Sequence, residues 1–179
     1  MIGVLVSGEG TNLQALLDAQ LPVVAVASSR SEARALERGA AAGVAAATFE
    51  LADFADREQR DRTMANWLQE RGVRLVVCAG YMHLLTPVFL DRFPDRIVNV
   101  HPSLLPDFPG ARAIDDALAA GVAITGVTVH LVDEGLDTGA IVRQVPVPVE
   151  PRASLVERIH DVEHRVLPEV VRQILVTGR

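Results

Sequence analysis

Cysteine is almost missing from this chain: Cys78 is the only one in 179 residues. No intrachain disulfide can form, so the fold must hold by burial. Cys78 sits in the apolar run Leu75-Val76-Val77-Cys78-Ala79 and reads as a small core residue rather than a reactive thiol. Basic residues are also scarce. Lys+Arg number 17 against 23 Asp+Glu, a formal net charge of −6, and no dense basic run appears. A polyanion is repelled on average, which argues against a nucleic-acid partner. No apolar run reaches the roughly 18 residues of a membrane span. Met1-Ile2-Gly3-Val4-Leu5-Val6 lacks the basic segment and long apolar run of a signal peptide. A soluble cytoplasmic protein is therefore expected. What is abundant is hydrophobic residues, at 49%, enough for one globular domain with a sizeable core.

Short apolar runs alternate with helical patterns. Strands are expected at Ile2–Val6, Pro22–Ala27, Val44–Phe49, Leu75–Ala79 and Ile97–Val100. Helices are expected at Thr11–Ala19, Ser31–Ala42 and Asp56–Arg71, the first with Thr11 and Gln14 in capping-box spacing. Thr86-Pro87 should cap a short helix through Phe93. After residue 100 the pattern changes. Leu104–Gly110 is a proline-rich loop, Ile114–Ala120 a short helix, and Val127–Val132 and Ile141–Val147 two antiparallel strands joined by a polar loop. Ser154 should cap a last helix to about Leu175. This order predicts an α/β fold: Rossmann-like, doubly wound, with a mostly parallel sheet, antiparallel C-terminal strands and a single domain. In such sheets ligands sit beyond the carboxyl ends of the strands.

The first such end carries Ser7-Gly8-Glu9-Gly10-Thr11-Asn12. Glycines let a backbone approach a ligand closely, and a helix start offers N–H groups and a positive dipole end to a phosphate. Thr11 and Asn12 add side-chain donors. By itself the pattern fits a tight strand-to-helix turn equally well. It lacks the full dinucleotide fingerprint and the Lys-Ser/Thr ending of an ATP loop, which points to a small phosphorylated metabolite.

A later strand end carries Asn99-Val100-His101-Pro102-Ser103-Leu104-Leu105-Pro106. Residues two apart on a strand point the same way. Asn99 could donate to an oxyanion and His101 could move a proton. Alone, the pair also fits a satisfied structural histidine. Asp133-Glu134-Gly135-Leu136-Asp137-Thr138-Gly139 could bring a carboxylate beside His101, which would favour the imidazolium. It could equally be a solvated acidic turn, and its spacing does not fit an EF-hand. His160 and His164 have metal-compatible spacing, but no third ligand is evident and no metal is expected. No G-x-S-x-G elbow is present.

Taken together, these segments and Ala79-Gly80-Tyr81-Met82 resemble, in order and over essentially the whole chain, the phosphoribosylglycinamide formyltransferases of purine biosynthesis. The Asn-x-His-x-Ser-Leu-Leu-Pro segment and later aspartate mark the wider folate formyltransferase group, while Ser7 to Gln14 point to the glycinamide ribonucleotide enzymes. The resemblance implies transfer of the formyl group of 10-formyltetrahydrofolate, as co-substrate, to the amine of glycinamide ribonucleotide. Asn99, His101 and Asp137 would be catalytic, with Asp137 holding His101 protonated. Gly10, Thr11, Asn12 and Glu163 would bind the nucleotide. Arg57, Met82, His83, Leu84, Leu85, Asn99 and Asp133, Glu134, Gly135, Leu136 and Asp137 would line the folate site. One formyltransferase domain over residues 1–179 is implied, with 1–100 the phosphate-substrate half and 101–179 the folate-binding and C-terminal half. The partners would be small molecules, and the family admits a homodimer. Two positions depart from the pattern. His83 stands where many relatives carry Arg after the Gly-aromatic-Met triplet, which changes folate affinity if that side chain matters. Arg112 stands where many carry His after the Pro-Gly of the proline loop.

Two other readings stay beside this one. A relative with another acceptor, methionyl-tRNA formyltransferase or a formyltetrahydrofolate hydrolase, would be expected to carry a further C-terminal or N-terminal domain. A non-catalytic phosphometabolite-binding module would need the glycine loop but has no use for Asn99, His101 and Asp137.

Overall fold

Ile2–Val6 is buried at all five positions and forms strand β1, as expected of an apolar run too short for a helix and covered on both faces. The computed structural model describes residues 1–178. They fall into two compact units, Met1–Val98 and the remainder from Asn99.

In the first unit β1 is followed by α1 (Thr11–Asp18), β2 (Val23–Ser28), α2 (Arg34–Ala41), β3 (Ala45–Thr48), α3 (Arg57–Glu70), β4 (Leu75–Cys78) and α4 (Pro87–Leu90). β5 (Ile97–His101) begins here. The strand order is β3-β2-β1-β4, continuing to β5. β1 pairs in parallel with β2 and β4, and β2 in parallel with β3. Leu5 is in register with Ala27 and Cys78, so the loops after β1, β2 and β4 leave the sheet at one edge. β4 is buried throughout, and α3 packs Met64, Ala65 and Leu68 inward. Cys78 is the core residue expected, 6% exposed.

The second unit begins with the end of β5 and adds α5 (Ala113–Ala120), β6 (Ile124–Leu131), β7 (Ile141–Pro148) and α6 (Leu155–Thr177). Its strand order is β5-β6-β7. β6 and β7 are antiparallel, as expected, with a register irregularity between Val129 and His130. Gly126 on β6 packs against Leu104: a Cβ there would lie 2.5 Å from the Leu104 side chain. α6 buries one face, including Ile159, Glu163 and Leu167. No helix among the described residues is long and apolar enough to cross a membrane.

The α/β class, the parallel strands and the antiparallel C-terminal pair agree with the sequence. Several helix starts do not. Thr11 is the first helical residue and not a cap; Gly10 occupies that place with φ 72°, and no side chain caps α1. Gln14 is drawn away, donating to Asp18 at 2.8 Å and accepting from Arg38 at 3.2 Å. α2 starts at Arg34, because the Ala35 N–H, which an earlier start would bond to the Ser31 carbonyl, goes to the Gly8 carbonyl at 3.1 Å. α4 ends at Leu90 and not Phe93. The Arg92 and Phe93 N–H groups bond three residues back, to Phe89 and Leu90, and Pro94 disfavours helix at the residue before it. Ser154 Oγ donates back to Pro151 and does not cap α6.

Candidate active site

Strand order and loop anchoring place the glycine loop at the carboxyl edge of the first unit. Ser7, the residue after β1, is 6% exposed. Its Oγ lies 2.7 Å from Ser29 Oγ and accepts the Met82 N–H at 3.0 Å. One hydroxyl therefore ties together the exits of β1, β2 and β4. Gly8 C=O accepts from Ala35 N–H at 3.1 Å, and Glu9 C=O from Arg38 Nε at 2.8 Å. These bonds fasten the loop to α2. Gly10 has a second reason to be glycine: a Cβ would meet Ala35 Cβ at 2.5 Å. A Cβ on Gly8 would meet nothing within 4 Å. Thr11 is half-buried and Asn12 buried at the start of α1. With no side-chain cap on that helix, its first-turn N–H groups face the loop, the arrangement an anion uses.

The segment after β4 borders the same edge. Met82, His83, Ser7, Ser29, Arg30 and Glu50 help to line a cleft of about 410 Å³. Met82 and Leu84 are exposed, 63% and 47%, while Leu85 is buried. Arg57 Nη2 donates to the Leu84 carbonyl at 2.7 Å, so Arg57 clamps this segment by its backbone. Below it lies a buried pair that the sequence did not suggest. Arg60 and Asp61 are both fully buried, with Arg60 Nε and Nη2 donating to Asp61 Oδ1 at 2.9 and 2.7 Å. Asp61 Oδ2 accepts the Thr86 N–H at 2.8 Å. The Tyr81 phenol is pushed above its ordinary range by burial. His83 packs edge-on against Tyr81, 5.5 Å between centroids. Burial, then the nearby Arg60 and Arg57 charges, hold its imidazole below the usual value.

In the second unit, β5 and the β6–β7 loop bring Asn99, His101 and Asp137 together. His101 is 4% exposed. Its Nδ1 lies 3.4 Å from Asp137 Oδ2, and its Nε2 lies 2.8 Å from the Phe108 carbonyl. Both ring nitrogens thus face acceptors, which only a doubly protonated ring satisfies. Asn99 Nδ2 donates to Asp137 Oδ1 at 3.4 Å. Gly110 N–H donates to Asp137 Oδ2 at 2.8 Å. Burial pushes the Asp137 carboxyl upward, but His130, the Gly110 N–H and the His101 charge outweigh it and hold the group below its usual 3.8.

The loops around this cluster are fixed from beneath. Thr128 Oγ1 donates to the Ser103 carbonyl at 2.6 Å and accepts the Leu105 N–H at 3.1 Å. Gln144 Nε2 donates to the Leu105 carbonyl at 2.8 Å. Asp133 Oδ1 accepts from Gly135 N–H at 3.0 Å and Thr138 Oγ1 at 2.7 Å. Asp133 therefore folds the loop that delivers Asp137, whose backbone sits at φ 56°. Glu134 and Leu136 are exposed and Gly135 half-buried. Glu163 is 6% exposed on α6. Arg112 is the exposed residue preceding α5. His160 and His164 stack at 6.2 Å, and no group of three metal-type ligands occurs among the described residues.

Sequence reasoning missed His130. It is 2% exposed, with Nε2 3.2 Å from Asn99 Nδ2 and 3.6 Å from Asp137 Oδ1. A signal existed: a lone histidine at an inward position of an apolar strand, seven residues ahead of Asp137, needs a buried polar partner.

A family model described as formyl transferase matches residues 1–171. The chain is 45% identical over 183 residues to a phosphoribosylglycinamide formyltransferase of Mycobacterium tuberculosis, covering 98% of this chain and 85% of that one. It is 40% identical over 184 residues to the trifunctional purine biosynthetic protein adenosine-3 of Chironomus tentans, covering 97% of this chain but spanning only 13% of that protein's length. The crystal structure of glycinamide ribonucleotide transformylase 1 from Symbiobacterium toebii superposes with a TM-score of 0.94 at 45% identity, over 99% of this chain and 88% of that one. The match along nearly the whole chain, in sequence and in fold, places it plainly: the chain belongs to the formyl transferase family.

Proposed function

We propose that this chain transfers the formyl group of 10-formyltetrahydrofolate to the amine of 5-phosphoribosylglycinamide, a step of purine biosynthesis. The observation that carries the reading is the convergence of Asn99, His101 and Asp137 in one buried hydrogen-bonded cluster. A module that only binds a phosphorylated metabolite would have no use for it.

In this reaction the amine attacks the formyl carbon and the carbonyl oxygen becomes an oxyanion. The tetrahedral species then collapses, the amine losing a proton and the departing folate nitrogen gaining one. Asn99 supplies an amide N–H to the oxyanion. His101, doubly protonated between Asp137 and the Phe108 carbonyl, supplies positive charge beside it. Proton transfer by His101 itself requires its ring to leave the Phe108 carbonyl. Asp137 keeps that charge in place and helps to organise a water that carries the proton from the amine to the departing folate nitrogen. Gly10, Thr11 and Asn12 hold the phosphate, and Glu163 contacts the amine-side substrate. Arg57, Met82, His83, Leu84, Leu85, Asn99 and Asp133–Asp137 contribute to the folate site. Residues 1–179 act as one formyltransferase domain, with 1–100 the phosphate-substrate half and 101–179 the folate-binding and C-terminal half. The reading includes a cytoplasmic location and small-molecule partners in place of nucleic acid. A second copy is compatible with this chemistry and not required by it, since the three reacting side chains come from one chain.

The test is to incubate the purified protein with 10-formyltetrahydrofolate, with and without glycinamide ribonucleotide. Formyl transfer that depends on the nucleotide is expected. Release of formate without it would make the protein a hydrolase instead.

A further inference from the structure

We infer that His130 is a positioning residue that decides which end of the Asn99 amide faces the reacting carbon. The inference deepens the proposed formyl transfer and rests on it for its catalytic consequence. Its geometric part stands on the second unit alone.

His130 is buried on β6, where the register irregularity between Val129 and His130 falls. Such irregularities re-aim side chains. Its Nδ1 lies 2.8 Å from the Leu131 carbonyl oxygen. A carbonyl can only accept, so Nδ1 carries a hydrogen, and in the neutral ring Nε2 is then an acceptor. The donor it meets is Asn99 Nδ2, at 3.2 Å. Asp137 Oδ1, 3.4 Å from the same nitrogen, makes the same demand. The Asn99 oxygen in that place would face a ring lone pair and a carboxylate together. The amide nitrogen is therefore the end turned inward.

The two acceptors, His130 Nε2 and Asp137 Oδ1, are only 3.6 Å apart. Both therefore lie on one side of Nδ2, within reach of a single N–H shared as a three-centre bond. With the amide in that sharing arrangement, the second N–H is turned away from both, toward an oxyanion, the group the proposed reaction creates. Asp137 alone holds the amide by one long bond, and its second oxygen is occupied by Gly110 and His101.

The geometry is tested by ¹⁵N NMR of the histidine rings in the full chain at neutral pH, with His130 assigned from the spectrum of His130→Gln. The expected result is a neutral Nδ1–H ring with Nε2 as acceptor, and Asn99 amide protons that shift in His130→Leu. An Nε2–H ring, or unshifted Asn99 protons, overturns the inference without reference to any activity. Kinetics then test the consequence. His130→Leu should lower kcat about 10²-fold, the low end of what a lost oxyanion donor costs, with KM for both substrates within a few-fold. His130→Gln, which keeps one donor and one acceptor, should recover most of the loss. An active wild type with His130→Leu equally active overturns the positioning role, whereas a correctly protonated ring in a wild type without formyl transfer overturns the proposed reaction instead.

Discussion

Oδ2 of Asp137 lies 3.4 Å from Nδ1 of His101. That separation makes one carboxylate the counter-charge of the ring proposed to face the oxyanion. Asp137→Asn keeps the shape and removes the charge. It is expected to lower kcat by about 10²–10⁴-fold, the range of a lost acid–base group, while calorimetric affinity for glycinamide ribonucleotide stays within a few-fold. An Asp137→Asn enzyme with near-normal kcat would remove Asp137 from the chemistry.

The same carboxyl links the site to acid stability. Its folded value is held below the ordinary 3.8, so its contribution is fully present above the unfolded value. The contribution is lost as pH falls through the folded one. Urea unfolding of wild type and Asp137→Asn should therefore converge as pH drops below about 3.8 and separate above it. A stability gap that is constant from pH 2 to pH 6 would contradict the coupling.

Much of this cluster was legible in the sequence, and the reason is local. Asn99 and His101 share a strand face by simple alternation, and Asp137 lies in a glycine-bearing loop between two apolar runs. His130 was not legible, because its role depends on a register irregularity and on a neighbouring carbonyl. The helix starts at Thr11 and Ser154 were misjudged for a related reason. Capping spacing was present, but Gln14 is captured by Arg38, and Ser154 by Pro151 and Arg158. Tertiary partners outbid local ones. The Arg60–Asp61 pair lay in the polar run Arg57-Glu58-Gln59-Arg60-Asp61-Arg62, which looks like a solvated helix face.

Gly8 and Gly10 separate binding from folding. Gly10→Ala places a Cβ 2.5 Å from that of Ala35 at φ 72°, and the left-handed conformation alone costs roughly 1–2 kcal/mol. Weak nucleotide binding by that variant would therefore say little about where the phosphate sits. Gly8→Ala has open space around it. Its unfolding free energy should stay within about 0.5 kcal/mol of wild type, while glycinamide ribonucleotide affinity falls at least about tenfold. Unchanged affinity in Gly8→Ala would move the phosphate off this loop.

Cys78 should be silent toward thiol reagents in the native protein. Burial in β4 pushes its thiol from 9.0 up to about 12, and the thiolate is the reactive form. Alkylation with iodoacetamide at pH 8 is expected only under unfolding conditions, read by mass spectrometry. Fast stoichiometric labelling of the native chain would show the strand opening.

Asp61 joins stability to the segment proposed to hold folate. Its Oδ1 takes two bonds from Arg60 and its Oδ2 takes the Thr86 N–H. Asp61→Asn can serve only one of these faces with an acceptor, since the amide presents hydrogens on the other. The Arg60 charge is then buried without a counter-charge, which costs about 3–5 kcal/mol when a buried pair is broken from one side. Removing both partners avoids that, so Arg60→Met with Asp61→Leu should be less destabilised than Asp61→Asn alone. Thr86 follows Leu84 and Leu85 directly, and loss of its anchor should loosen the segment that Arg57 clamps at the Leu84 carbonyl. The expected signature in Asp61→Asn is a higher KM for 10-formyltetrahydrofolate with KM for the nucleotide little changed, alongside a lower urea midpoint. A variant as stable as wild type would mean that the pair is solvated in solution. One that lost stability but kept the folate KM would confine Asp61 to holding the fold.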